Sequence, residues 1–92
     1  MITIYEPKAH EIDISELTDF LQSLGEEHRL VFIDINRIVK SECVAVYRDD
    51  VVLGVAGVAK NKIGIRQFYV VVKLGYQKKG IGKRLLAEII DW

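Results

Sequence analysis

One cysteine and one proline are all that this 92-residue sequence holds of either. A lone Cys43 has no internal partner for a disulfide, and no Cys/His cluster shows metal-ligand spacing. Neither a disulfide-stapled scaffold nor a metal module is therefore expected. Cys43 lies in an apolar, strand-like run and reads as a small buried hydrophobe rather than a nucleophile. Excess charge is missing too, because 13 Lys and Arg balance 13 Asp and Glu. That balance argues against a general nucleic-acid binder, which carries a basic surplus, and no paired aromatics stand on a basic strand to stack bases. No apolar run approaches the ~20 residues of a bilayer-spanning helix. Met1 to Tyr5 lacks the basic start and long apolar core of a secretory signal. The expected setting is the cytoplasm, with no membrane partner.

What is present is a globular balance: half of the residues are hydrophobic and 28% are charged. The length suits one small domain, residues 1–92, with a thin stability margin. Ile2 to Tyr5 alternates apolar and polar residues as a short strand, closed by Pro7. Asp13-Ile14-Ser15-Glu16 reads as a helix start, with Asp13 as cap and Glu16 able to reach back to its amide. Ile14, Leu17, Leu21 and Leu24 follow at helical spacing, and Gly25 is a suitable stop. Between Glu26 and Ser41, Val31, Ile35, Ile38 and Val39 fit one helix face. The same stretch is rich in β-branched residues, and the reading is a short second helix. These elements fill residues 1–42.

Residues 43–92 read as a sheet followed by a loop and a helix. Cys43 to Arg48 and Val51 to Lys60 are strand-like, joined by the turn pair Asp49-Asp50. Val51 to Ala59 is apolar on both faces, as a covered central strand should be. Asn61-Lys62 is a second turn and Ile63 to Val72 a third strand. The fold expected is of α+β type: an antiparallel meander of three to four strands with flanking helices. Gly80 to Asp91 reads as the last helix, with Ile81, Leu85, Leu86, Ile89 and Ile90 on its apolar face.

The informative segment runs from Val70 to Leu86, a buried strand, a short loop and a helix whose first turn carries two glycines. The first amides of a helix have no intrahelical partner, and together with the helix dipole they form an anion site. Gly80 and Gly82 remove side chains that would hold a phosphate away, and Lys78, Lys79 and Lys83 add positive charge. The ligand group expected is a phosphate or pyrophosphate. Gly80-Ile81-Gly82 is not a Rossmann fingerprint, since the third glycine is lacking and the preceding strands look antiparallel. It is not a Walker A loop, since Arg84 stands where Ser or Thr is needed.

Gln77-Lys78-Lys79-Gly80-Ile81-Gly82 resembles the Gln/Arg-x-x-Gly-x-Gly/Ala signature of the GNAT family of acyl-CoA-dependent N-acetyltransferases. Leu53-Gly54-Val55-Ala56-Gly57 looks like that family's third strand and Val70-Val71-Val72 like the end of its fourth. The resemblance implies that amides from Lys78 to Lys83 cradle the pyrophosphate of acetyl-CoA and that Gln77 belongs to the same loop. It also implies that backbone at Val70 and Val72 pairs with the pantetheine arm like an added strand. Leu74 stands where many members have proline. The resemblance further implies that a complete domain continues past this helix. The expectation is thus a partial acetyltransferase domain, lacking the strand that walls the cofactor slot and the later helix that often supplies a tyrosine acid.

The implied reaction is acetyl transfer to an amine whose identity the sequence leaves open. Some members place a glutamate base on the fourth strand; here the strand offers Arg66, Gln67 and Tyr69 and no carboxylate. Tyr69 is the nearest side-chain candidate, though an aromatic packed on the sheet is the simpler reading. His10 and His28 read as surface residues, and no catalytic residue is assigned. The alternative function is a CoA-binding or partner-binding module without turnover. An unpaired strand edge and a partly covered last helix lead to the expectation of a homodimer or higher oligomer.

Overall fold

The computed structural model describes residues 2–6, 13–24, 35–73, 75–76 and 80–91. Their elements run β1 (Ile2–Tyr5), α1 (Ile14–Ser23), α2 (Ile35–Val39), β2 (Cys43–Asp49), β3 (Val51–Lys60), β4 (Arg66–Val72) and α3 (Ile81–Asp91). The strands form one antiparallel sheet in the order β1-β2-β3-β4. The α+β architecture expected from the sequence is therefore present, with the four-stranded form of the meander.

Asp13 caps α1, its carboxylate accepting from the Glu16 amide at 2.9 Å. Glu16 does not close the reciprocal half of the cap. Its carboxylate turns instead to Arg48 on β2, whose Nε donates to Oε2 at 3.0 Å while a terminal nitrogen donates to Oε1. A two-pronged, charge-assisted pair is the stronger use of that carboxylate. It ties α1 to the sheet and raises the Arg48 pKa. Helix α1 ends at Ser23 with Leu24 as its cap; the stop expected at Gly25 lies outside the described residues. Among the described residues the second helix spans Ile35–Val39, and residues 26–34 of the expected stretch lie outside them.

β4 is shorter than its composition predicts. Ile63 and Ile65 both give their amides to Asn61 Oδ1 at 3.0 Å, and Gly64 adopts φ 83. A single asparagine side chain thus diverts three strand-like residues into a turn by offering their backbone a local partner. The Asp49-Asp50 turn is tight: Asp49 already pairs with Val51, and Asp50 takes φ 65, a conformation aspartate tolerates.

The sheet is covered on both faces. On one side Leu17 and Phe20 of α1 and Ile38 of α2 pack on Val44, Val46 and Val55. On the other, Ile81, Leu85 and Ile89 of α3 pack on Cys43, Ala45 and Ala56. This explains why β3 is buried from Val52 to Ala59: a strand covered on both faces has no solvent-facing side to make polar. Cys43 is a filler of the α3 side, fully buried. Burial, with the Glu6 carboxylate nearby, pushes its thiol pKa up and keeps it protonated.

Candidate functional site

β4 is the sheet's last strand, and its hydrogen-bond phase decides what its outer edge presents. Lys73 donates its amide to the Leu53 carbonyl at 2.8 Å. In an antiparallel ladder the residues that bond the neighbour alternate. Val71 and Tyr69, in step with Lys73, therefore turn their backbone groups toward β3, and Val70 and Val72 turn theirs to the outer edge. The pairing steps from Tyr47–Gly54 to Arg48–Val52, which leaves Leu53 as an extra residue on β3. This bulge lies beside the end of β4, where Lys73 leaves the sheet.

Helix α3 begins next to that edge. Gly80 accepts the Arg84 amide at 3.1 Å and so serves as its N-cap, with φ 79. That backbone angle favours glycine. A Cβ added at Gly80 would meet open space, whereas one at Gly82 would sit 3.4 Å from Val72 Cγ2 and 3.6 Å from Val70 Cγ2. The two glycines thus act differently. Gly80 leaves the approach to the helix start clear, whereas Gly82 faces Val70 and Val72 with room for a Cβ in ordinary contact. Ile81 is buried under the turn and Lys83 is exposed on it. Gln77, Lys78 and Lys79 lie outside the described residues. What the fold brings together is therefore the outer edge at Val70 and Val72 and the helix start at Gly80, Ile81, Gly82 and Lys83.

Tyr69 points away from α3, into the core beside α2. Its hydroxyl lies 2.7 Å from Ser41 Oγ, and Ser41 gives its own proton to the Arg37 carbonyl at 2.7 Å. With one hydrogen on each hydroxyl, Tyr69 must be the donor to Ser41. Burial pushes the Tyr69 pKa up to about 12. A phenol so placed is a fixed neutral donor, in keeping with packing on the sheet. It fits opposite Gly57, where an added Cβ would fall 2.2 Å from the phenol oxygen. The Arg37 guanidinium stands 5.7 Å from the ring centroid and donates to Gln67 Oε1 at 3.3 Å. His10 and His28 lie outside the described residues. Among the described residues no three of His, Cys, Asp or Glu are grouped to hold a metal ion. No described helix is long and apolar enough to cross a membrane.

The profile of the acetyltransferase (GNAT) family matches residues 8–92. The chain belongs to the GNAT family of acetyltransferases. A crystal structure of a GNAT-family acetyltransferase from Staphylococcus aureus Mu50 shares its fold, with a TM-score of 0.63 and 21% sequence identity. The likeness covers 99% of this chain and 65% of that one, so this chain spans about two thirds of that GNAT structure's length. No curated protein matches. The GNAT signature was legible in the loop before α3. The Gly57–Tyr69–Ser41–Arg37 arrangement was not, because nothing local links Gly57 to a residue twelve positions on.

Proposed function

We propose that the chain binds acetyl-CoA for acetyl transfer to an amine, its pyrophosphate at the start of α3 and its pantetheine arm along the outer edge of β4. The observation that carries this reading is the position of Gly82 in the first turn of α3, facing the side chains of Val70 and Val72. It sets the amide donors of the helix start beside a strand edge that can pair with the amides of the arm. Gly80, with open space at its Cβ position, leaves room for a phosphate, and exposed Lys83 contributes charge. Gln77, Lys78 and Lys79 complete the loop in this proposal. The backbone at Val70 would orient the thioester carbonyl, and the amine would displace the thiolate, losing its proton as the amide forms. Two copies pairing through β4 would occupy the same edge, so such a dimer would compete with the cofactor.

Calorimetry with CoA and with pantetheine tests the proposal. Lys83→Glu reverses a surface charge without touching the core. It should weaken CoA by about tenfold, a change of ~1.4 kcal/mol, and leave pantetheine unaffected. Absence of CoA binding at millimolar concentration, or equal effects on both ligands, would overturn it.

A further inference from the structure

A groove of about 270 Å³ lies on the sheet face opposite α3, lined by Arg37, Lys40, Lys60, Lys62, Asn61 and Gln67 together with Ala59. Among the described residues it is walled by four cations and no acid, in a chain whose charges cancel. We propose that this groove is an anion site that receives a carboxylate or phosphate carried by the amine acceptor. The acceptor part of this inference rests on the acetyl-transfer reading above.

Both walls are held in place. On one, Arg37 lies over the Tyr69 ring and donates to Gln67, and Tyr69 is itself fixed by Ser41. On the other, the Asn61–Ile65 turn is closed by the two amides on Asn61 Oδ1, by Asn61 donating to the Ile65 carbonyl at 2.9 Å, and by Gly64 donating to the Asn61 carbonyl at 3.0 Å. Lys60 is shared with Glu42 at 3.3 Å, a carboxylate that Arg66 also engages at 3.1 Å. Among the described residues no carboxylate pairs with Lys40 or Lys62. Cations on rigid supports, converging on one hollow, raise the local concentration of anions and lose little entropy on binding them.

Position gives the site its meaning. Gln67 stands three residues before Val70 on β4, a separation of ~10 Å along the strand. An anion held beside Gln67 would place the rest of a small acceptor within reach of the β4 edge where the thioester is proposed to lie. The groove opens on the α2 side of the sheet and the α3 start on the other. Two anionic ligands could thus approach one edge from opposite faces without meeting.

The test uses amide chemical-shift titration with inorganic phosphate and with succinate, in the unchanged chain and in a Lys40→Glu, Lys62→Glu variant. Both substitutions are at exposed positions. Saturable shifts centred on residues 37, 40, 60–62 and 67, weakened at least ~10-fold in the variant, would support the site, and the tighter of the two anions would identify the acceptor's group. Shifts scattered over all surface lysines, or unchanged in the variant, would overturn it. CoA calorimetry on the same variant separates the two proposals. Unchanged CoA affinity with lost anion binding supports both. Anion binding here without any CoA binding would sink the acetyl-transfer reading, and the groove's link to an acceptor with it, while upholding the anion site.

Discussion

The two faces of the sheet are built on opposite plans. Beneath α1 and α2 the sheet presents Val44, Val46, Val55, Val71 and the phenol of Tyr69. Beneath the middle of α3 it presents Cys43, Ala45, Gly54 and Ala56, with larger side chains at Val58, at Val70 and Val72 on β4, and at Ile2 and Tyr47 toward the β1 edge. Small residues let a helix come close, and α3 does: a Cβ at Gly54 would lie 2.9 Å from Leu85 Cδ1 and 3.2 Å from Ile81 Cγ2. The first face is filled by bulk and can hold a buried polar network. The second is thin and serves to set one helix start against the β4 edge. The α1/α2 face thus works by filling space, whereas the α3 face works by close approach.

If the thin face depends on a few contacts, removing one should have the largest effect. Leu85 is fully buried between α3 and the sheet. Leu85→Ala should cost about 2–5 kcal/mol, because the small residues beneath it offer little to collapse into the cavity. Chemical denaturation would measure this. A loss under ~1 kcal/mol would mean that α3 is not anchored at Leu85 and that the asymmetry is only apparent.

The thick face should break by the opposite route, through added volume. Gly57 faces Tyr69, and a Cβ there would lie 2.2 Å from the phenol oxygen and 2.4 Å from Cζ. Gly57→Ala should therefore cost about 1–3 kcal/mol by overpacking, and Tyr69→Val should return part of it by vacating the space. Denaturation of the two single variants and the double variant measures the coupling. Simple additivity would show that the ring does not need the glycine.

The same contrast explains what the sequence revealed. The meander, the covered central strand and the last helix were readable because each follows from local periodicity and turn residues. The glycine signature at the start of α3 was readable as a family pattern because its residues are contiguous in the sequence. Three features were not. Ile63 to Ile65 has strand composition, yet Asn61 supplies those amides with a nearer partner. Glu16 sits at the capping-box position, yet Arg48, 32 residues away, takes its carboxylate. Gly57 and Tyr69 acquire their relation only through the β3–β4 register. In each, a side chain of defined reach overrode a local pattern, and in two of them the partner lay far along the chain.

The finest test concerns the Tyr69 hydroxyl, buried against that of Ser41. In Tyr69→Phe, Ser41 still donates to the Arg37 carbonyl and loses only a donor, so the cost at neutral pH should be about 1 kcal/mol. The variant should differ more clearly in its response to pH. The folded-state pKa of Tyr69 is raised from 10 to about 12, so above pH 10 the unfolded chain releases a proton that the folded chain keeps. The stability this group contributes is whole below pH 10 and is lost as pH rises toward 12. Urea titrations at steps between pH 9 and 12 should show the unchanged chain falling more steeply than Tyr69→Phe. Parallel curves would mean that the phenol reaches solvent when it ionises, and the thick face would then be looser around α2 than its packing implies.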